Sequence, residues 1–235
     1  MLVKKRYIEG DIKREYCYQN NNIYKKTWYK NDKKHKEDGP AEIFYYENGN
    51  IKKEFWCKDG KYHRENDPAT IYYYRNGKIM EYGWYKNGVL HRENGPAIIC
   101  YYEDGKIRRY CWYDNYNYHR KNGPALIEYY ENGNKSEEIW FNRGSYHREN
   151  DPAIIRYFED GNIKEHHWYK KGSCYKAIEY YNNGSIKIEN WCNNGIYHRT
   201  DGPAFVKYNI NGQIIKEEYY LNGKLVDKLV VLVQQ

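Results

Sequence analysis

The stretch that decides the fold is Pro68-Ala-Thr-Ile-Tyr-Tyr-Tyr-Arg-Asn-Gly-Lys-Ile-Met-Glu-Tyr-Gly-Trp-Tyr-Lys-Asn-Gly-Val-Leu-His-Arg-Glu-Asn-Gly95, because the chain repeats its landmarks every 28 residues. A fixed period in this range indicates a repeat architecture. The landmarks in register are Pro40, Pro68, Pro96, Pro124 and Pro152, then Gly49, Gly77, Gly105, Gly133 and Gly161, and Trp28, Trp56, Trp84, Trp112, Trp140 and Trp168.

One repeat is shorter than the others. The step from Gly161 to Gly184 is 23 residues, and this repeat lacks His-Arg and Pro-Ala around residues 174–177. Because the flanking strand patterns survive the deletion, we interpret the His-Arg-Glu-Asn-Gly-Pro segment as a loop. Three regions follow from the register: a degenerate basic N-terminal cap (1–27), the repeat array (28–225) and an apolar C-terminal capping strand (226–235).

The turns within each repeat predict an all-β fold. Asn-Gly and Asp-Gly between runs of Tyr, Ile and Trp are typical of β-hairpins, since both turn residues tolerate positive φ. Alternation as in Ala41, Ile43 and Tyr45 places those side chains on one face, whereas the variable positions, such as Glu42 and Thr70, suggest a less constrained face. We expect an elongated antiparallel meander or solenoid of about 14 to 16 short strands, two per repeat.

The net charge of +7 is concentrated at the N-terminus. Residues 1–34 contain ten Lys and Arg but four acids, which leaves 29 basic and 28 acidic residues in the rest of the chain. A nearly neutral array is unlike a surface that follows phosphates. The sequence therefore argues against nucleic-acid binding, except weakly through the basic residues 4–34.

Composition also bounds the location of the protein. The six cysteines have no CxxC spacing, which favours free thiols in a reducing compartment. Lys4-Lys5-Arg6 is not followed by the apolar stretch of a signal peptide, and the apolar run 229–233 is too short to span a bilayer. We expect a cytoplasmic protein without a membrane span, in a host cytoplasm or a virus particle if the chain is viral.

Two stretches carry a resemblance to a known family. Tyr-Tyr-Glu-Asn-Gly-Asn-Ile-Lys-Lys-Glu (45–54) and Trp-Tyr-Lys-Asn-Gly-Val-Leu-His (84–91) resemble the MORN repeat variant of the YwqK-type antitoxin family, over about residues 28–225. The 23-residue repeat has the family's usual length. The longer repeats look like this hairpin with a five-residue loop inserted, a form similar to repeat proteins of giant viruses of amoebae. The resemblance implies a scaffold, a self-assembling module, or a binder of proteins and sometimes lipids.

The His-Arg loops are the first candidate site. One interpretation is structural: His bonds a backbone carbonyl of the next repeat, and Arg pairs with the adjacent Glu or stacks on Trp or Tyr. The other is a ladder that grips an acidic partner. Metal binding is disfavoured, because no Cys or carboxylate keeps a fixed ligand spacing with the histidines. The loop residues are His63, Arg64, His91, Arg92, His119, Arg120, His147, Arg148, His198 and Arg199.

The second Tyr of each Tyr-Tyr pair is the other candidate. It lies opposite the Ala-Ile-Tyr face, so it either forms an exposed aromatic stripe that binds a partner or packs under the sheet. The Trp series, by contrast, is expected in the core. The stripe residues are Tyr46, Tyr74, Tyr102, Tyr130, Phe158 and Tyr181.

No residue set in the chain points to catalysis, a metal or a cofactor, since a catalytic group would have to depart from the repeat register. His166-His167 departs from it but is expected to decorate a strand. A separate prediction concerns Leu229, Val230, Val231, Leu232 and Val233, a β-prone run that either caps the last repeat or pairs with a second copy.

Together these observations predict a non-enzymatic scaffold that binds a protein partner. The alternatives are an antitoxin-like inhibitor that masks a toxin or nuclease, and a self-assembling structural protein of the virion type.

Overall fold

The computed structural model describes residues 2–170 and 172–228, and every element in these ranges is a β-strand. The chain divides into two compact units, Met1–Asn117 and Tyr118–Gln235. The apolar run 229–233, predicted to mediate self-association, lies outside the described residues.

The strands of the N-terminal unit alternate between long and very short ones. They are β1 (Leu2–Glu9), β2 (Ile12–Gln19), β3 (Asn22–Lys30), β4 (Lys33–Lys34), β5 (Glu42–Tyr45), β6 (Ile51–Phe55), β7 (Cys57–Lys58), β8 (Lys61–Tyr62), β9 (Thr70–Tyr73), β10 (Ile79–Gly83), β11 (Tyr85–Lys86), β12 (Val89–Leu90), β13 (Ile98–Tyr101), β14 (Ile107–Cys111) and β15 (Tyr113–Asp114), and β16 (Asn117–Tyr118) contains the border.

The C-terminal unit starts with the same alternation and then changes to longer strands. Its strands are β17 (Leu126–Tyr129), β18 (Lys135–Ile139), β19 (Phe141–Asn142), β20 (Ser145–Tyr146), β21 (Ile154–Tyr157), β22 (Ile163–Lys170), β23 (Ser173–Tyr180), β24 (Ile186–Asn193), β25 (Ile196–Tyr197), β26 (Phe205–Tyr208), β27 (Ile214–Leu221) and β28 (Lys224–Val226).

Each unit is built on an antiparallel meander, as the sequence predicts. In the N-terminal unit the order is β1-β2-β3-β5-β6-β9-β10-β13-β14. In the C-terminal unit it is β17-β18-β21-β22-β23-β24-β26-β27. The predicted number of strands is too low, because each looped repeat contributes a long hairpin and a separate short hairpin.

The two Asn-Gly turns of a repeat have different geometries. In the long hairpin the Gly49 N–H donates to the Tyr46 carbonyl (3.0 Å) and only Gly49 has positive φ, which is a type I turn followed by a bulge. In the short hairpin both turn residues, such as Asn87 (φ 54°) and Gly88 (φ 86°), lie in the left-handed region, as a type I′ turn requires. The expectation of two positive φ angles therefore holds only for the short hairpins.

A tryptophan separates the long hairpin from the short one. The Trp84 N–H donates to the Ala97 carbonyl (2.8 Å), and the His91 N–H donates to the Trp84 carbonyl (3.0 Å), so the chain leaves the main ladder at Trp84. Successive short hairpins are joined by a glycine: Gly60 N–H donates to the Lys34 carbonyl and Gly88 N–H to the Tyr62 carbonyl (2.9 and 2.7 Å).

Both faces of the sheet are covered in part. The alanines that start the first strand of a repeat are buried, as predicted: Ala41, Ala69, Ala97, Ala125, Ala153 and Ala204. The opposite face is not the open surface that its variable sequence suggests, because Glu42, Thr70 and Leu126 are also buried. On that face Phe55 contacts Phe44, Tyr62 and Tyr72, with ring centroids 5.2–6.0 Å apart. Aromatic residues from neighbouring strands and the short hairpin therefore supply this side of the core.

Candidate functional site

The arginines of the His-Arg loops stack on the tryptophan rings. The guanidinium carbon lies 3.9 Å from the ring centroid in Arg92–Trp84 and Arg199–Trp191, and 4.0–4.2 Å in Arg148–Trp140 and Arg64–Trp56. At this distance the cation interacts with the face of the ring. Each loop arginine also points Nη1 at the carbonyl of the proline four residues later, at 3.4–3.5 Å for Arg64, Arg92, Arg120, Arg148 and Arg199.

The acids that reach the loop arginines are aspartates, not the adjacent glutamates that the sequence suggests. Arg64 lies 3.3 Å from Asp67, and Arg148 lies 3.1 Å from Asp151. In these loops the residue before Asp has positive φ, 63° at Asn66 and 62° at Asn150, and this turns the aspartate back toward the arginine. Glu65 and Glu93 remain exposed.

His63, His198 and His35 bind the next repeat, but as acceptors, whereas the buried Nδ1 of His119 has no hydrogen-bond partner in the described part of the chain. The backbone N–H of Asn87 donates to Nδ1 of His63 (3.2 Å), and Asn222 N–H donates to Nδ1 of His198 (3.0 Å). His35 accepts the Asp59 N–H in the same way (3.3 Å). The expected bond from imidazole to a carbonyl is therefore reversed. A type I′ turn leaves its first N–H free, and the neutral imidazole nitrogen is the group that satisfies it.

The second tyrosine of each pair is half-buried, and it also joins repeats. The hydroxyls of Tyr46, Tyr74, Tyr130 and Tyr181 donate to the carbonyls of Tyr73, Tyr101, Tyr157 and Tyr208, at 2.7–3.0 Å. Phe158 holds this position without a hydroxyl, in front of the 23-residue repeat. Tyr102 is half-buried as well. These side chains tie each long hairpin to the first strand of the following repeat.

An asparagine ladder, which sequence reasoning missed, runs beside the tyrosines. The amides of Asn48 and Asn50 both donate to the Arg75 carbonyl (3.1 and 3.0 Å), and those of Asn132 and Asn134 donate to the Glu159 carbonyl (2.7 and 2.8 Å). The signal was present as Asn-Gly-Asn in the turns, but it reads equally well as turn propensity alone.

Two notches lie between successive His-Arg loops of the N-terminal unit. One, of about 390 Å³, is lined by residues 63–66 of one loop, 91–94 of the next, and Trp84, Tyr85 and Lys86. The other, of about 410 Å³, is lined by residues 35–37, 56–58 and 63–65, which are the equivalent positions one repeat earlier. The predicted His-Arg residues therefore build the walls of a repeated notch. The exposed charged side chains at its rim are Glu65, Lys86 and Glu93, with Glu37 and Lys58 one repeat earlier.

Within residues 2–170 and 172–228, no group of three His, Cys, Asp or Glu side chains is arranged to hold a metal ion. His166 and His167 lie on β22, as expected. His166 Nδ1 is 3.1 Å from the Tyr180 hydroxyl, and His167 Nε2 is 3.1 Å from Glu165. The six cysteines are free, and burial raises the pKa of Cys57 to about 11, which disfavours the reactive thiolate.

The same described ranges hold no helix of the length and apolarity needed to cross a membrane.

Comparison with known proteins addresses the hairpin itself. The family described as MORN repeat variant matches residues 41–55, which comprise β5, the Asn48-Gly49 turn and β6. No curated protein matches the chain. Among solved structures, one titled "Crystal Structure of TcdB2-TccC3-TEV" is similar at 12% identity over 89% of this chain, with a TM-score of 0.17. The match spans 14% of that chain's length. Residues 41–55 are thus similar to a MORN repeat variant, and the described part of the chain is made of repeated β-hairpins.

Proposed function

We propose that this protein is a non-enzymatic scaffold that binds a partner protein along the notches between its His-Arg loops. The observation that carries the proposal is the recurrence of the notch at equivalent positions of successive repeats. A repeated notch offers a partner several small contacts in series, which suits recognition of an extended segment.

The repeat spacing indicates the kind of segment. Two strands of a sheet advance by about 9.6 Å, since neighbouring strands lie about 4.8 Å apart. Three residues of a polyproline II segment advance by about 9.3 Å. A partner segment in this conformation would therefore present every third side chain to a successive notch.

The rim charges supply the contacts. Arg64, Arg92 and the tryptophans are engaged within the scaffold, so a partner meets the exposed carboxylates and the exposed ammonium groups of each notch. A segment with basic and acidic side chains at every third position complements such a rim. The free cysteines fit a reducing compartment, and we place this function in the cytoplasm.

The test is site-specific photo-crosslinking in cells that contain the partner. A crosslinking amino acid at Lys58 or Lys86 should capture the same protein. At Lys78, which is exposed in a long-hairpin turn away from both notches, it should not. Charge reversal at Glu65 and Glu93 should reduce capture while thermal stability is retained. Equal capture at Lys78 would contradict the proposal.

Self-assembly is a second candidate, favoured by exposed apolar side chains on β1 and β27. Leu2 and Ile8 are 70% and 72% exposed, and Ile214 and Ile215 are 53% and 55% exposed. Exposed apolar strands recruit other chains. Deletion of residues 228–235 with measurement of molar mass by light scattering tests the predicted role of 229–233, and an unchanged mass in a folded variant would remove it.

The identity of the captured partner distinguishes the scaffold from an antitoxin-like inhibitor and from a structural protein. A single stoichiometric toxin or nuclease whose activity the chain blocks would make the scaffold an antitoxin-like inhibitor, and recovery of the chain with itself alone would favour the structural role.

A further inference from the structure

The first three strands carry cations on both faces. On one face the cations pair with acids, and on the other the lysines do not. Residues directly opposite each other in antiparallel strands lie on the same face. Lys5, Tyr16 and Lys26 are opposite one another across β1, β2 and β3, and Arg6, Glu15 and Thr27 are the neighbouring row on the other face.

On the face of Glu15 the cations are neutralised. Lys4 and Arg6 lie 2.7 and 2.9 Å from Glu15, and Lys25 and Lys34 lie 2.6 and 2.7 Å from Glu42. Glu15 and Glu42 are buried. Burial alone would raise the pKa of each carboxyl, but the bonds from the cations outweigh it and lower the pKa. Lys13 pairs with Asp32 (2.8 Å).

On the opposite face the lysines lie over aromatic rings. Lys5 is 5.2 Å from the ring centroid of Tyr18, Lys26 is 5.2 Å from that of Tyr45, and Lys36 is 4.3 Å from that of Trp28. None of these three ammonium groups has an acid within 4 Å in the described part of the chain, and Arg14 reaches only Glu9, at 4.0 Å. We call the set Lys5, Arg14, Tyr16, Tyr18, Lys26 and Tyr45 the cationic aromatic face.

The charge at one repeat position of this face is opposite in sign to the charge at the same position of some later repeats. Lys26 is opposite Ile43, and three later repeats have a glutamate at the equivalent position: Glu54 opposite Ile71, Glu138 opposite Ile155 and Glu189 opposite Val206. Other repeats have an aromatic ring there, such as Tyr82 and His166. Those glutamates accept hydrogen bonds from the hydroxyls of Tyr73, Tyr157 and Tyr208 (2.6, 2.5 and 2.9 Å). Lys5, opposite Tyr16, stands at the same position one strand pair earlier. Lysine at the N-terminus thus stands where three of the later repeats have an acid.

A notch of about 380 Å³ borders the face at its turn end. It is lined by Lys26, Tyr45, Tyr46, Glu47 and Ile23 together with the turn residues Asn21, Asn22, Asn48 and Gly49. Aromatic rings, an ammonium group and side-chain amides around one small depression are the groups that receive an unstacked base.

We propose that the cationic aromatic face binds single-stranded nucleic acid, with phosphates at Lys5, Arg14 and Lys26 and bases against Tyr16, Tyr18 and Tyr45. Cations that track a backbone, interleaved with rings on which bases stack, are the two components of such sites. A duplex keeps its bases stacked on each other and cannot use the rings. The surface is separate from the His-Arg notches, so it does not depend on the proposed scaffold function.

The test is fluorescence anisotropy of the full chain with fluorescein-labelled oligothymidylate of 15 nucleotides, at several salt concentrations. Removing two phosphate contacts in the double variant Lys5→Gln, Lys26→Gln should reduce the slope of log affinity against log salt by about 1.4, since each contact contributes about 0.7 for single strands. The control Lys13→Gln, Lys33→Gln removes the same charge away from this face and should leave the slope near its wild-type value.

The rings are tested separately. Tyr18→Leu keeps apolar volume but removes the stacking surface and should weaken binding by roughly tenfold, whereas Tyr18→Phe should bind like wild type. Circular dichroism shows whether each variant is folded. Equal losses in both lysine double variants, equal affinity for a 15-base-pair duplex, or binding to vesicles with phosphatidylserine but not to the oligonucleotide would each overturn the proposal.

Discussion

The looped repeats and the 23-residue repeat cover their tryptophans with a cation in two different ways. In the looped repeat around Trp84, β10 ends at Gly83, the chain leaves the ladder at Trp84, and the loop returns Arg92 over the indole. In the loopless repeat, β22 and β23 continue as paired strands of eight residues, with Trp168 directly opposite Lys176. Deleting the loop therefore straightens the hairpin and leaves the meander intact.

The loopless repeat replaces the arginine with a lysine from the sheet itself. Lys176 Nζ lies 5.2 Å from the ring of Trp168 and 5.1 Å from that of Trp191, so one ammonium group serves two tryptophans. The comparison teaches that a cation over the tryptophan belongs to the fold, whereas the His-Arg loop is an addition to it. What the loop adds is the wall of a notch, which is the feature on which the proposed function of the looped repeats rests.

The largest effect is expected from removing a sealed tryptophan. Trp84 is 9% exposed, whereas Trp168, like Trp56, Trp140 and Trp191 under their loop arginines, is half-buried. Trp84→Ala should lower the free energy of unfolding by about 3–5 kcal/mol, as for large core truncations, and Trp168→Ala by less. Urea unfolding followed by circular dichroism measures both. Equal losses would show that the deeper burial of Trp84 does not set the cost of its removal.

The next largest loss of stability is expected from removing the cations that lie over the tryptophan rings. Lys176→Ala removes the contacts with two indole rings and should cost about 1–2 kcal/mol, whereas Arg92→Ala removes one and should cost about 1 kcal/mol. The same denaturation experiment compares them. A smaller loss for Lys176→Ala than for Arg92→Ala would contradict the sharing of one lysine by two tryptophans.

A stabilising change should be available in one short hairpin. Tyr116 has φ 67° at a position that is Gly88 one repeat earlier and Gly144 one repeat later, and its side chain is 66% exposed. Because the left-handed conformation costs a residue with a side chain about 1 kcal/mol or more, Tyr116→Gly should raise the melting temperature. The matched control, Gly88→Ala, should lower it. No gain from Tyr116→Gly would indicate that the tyrosine makes a compensating contact.

The smallest effect is a pH dependence confined to the loopless repeat. Burial lowers the pKa of His166, helped by the charges of Arg148 and His167. In the unfolded chain the histidine pKa is about 6.5, so below that pH the unfolded state binds a proton more readily than the folded state. The free energy of unfolding is therefore unaffected by His166 above pH 6.5 and falls as the pH drops from there toward the lowered pKa of the folded state.

His166→Phe keeps a ring between Trp168 and Tyr180, which His166 contacts at 5.5 and 5.3 Å. It should therefore flatten the pH dependence of stability just below pH 6.5, measured by thermal melts. An unchanged slope in His166→Phe would assign that dependence to another group.

Much of the fold could be predicted, and several of the errors share one physical cause. Period, turn propensity and alternation are local, so the hairpins and the buried alanines were accessible from the sequence. These errors concern partners in other strands or the next repeat: the acceptor role of His63 toward Asn87, and the burial of Glu42 by Lys25 and Lys34. The asparagine ladder was missed for the same reason. From the sequence, turn residues are expected to form hydrogen bonds within their own hairpin. Their bonds to the next repeat depend on how the hairpins stack.

By itself the sequence determined the repeat length, the antiparallel hairpins and the place where a loop is inserted, because hydrogen bonding within a hairpin depends on neighbours along the chain. Only the tertiary structure decided which tyrosines and arginines are already occupied, since their partners lie in other strands and loops. It also decided that some lysines of the first strands pair with an acid, whereas Lys5 and Lys26 lie over rings with no acid within 4 Å in the described part of the chain. Side chains alternate between faces, and only the pairing of strands places an acid beside one lysine and a ring beside the next.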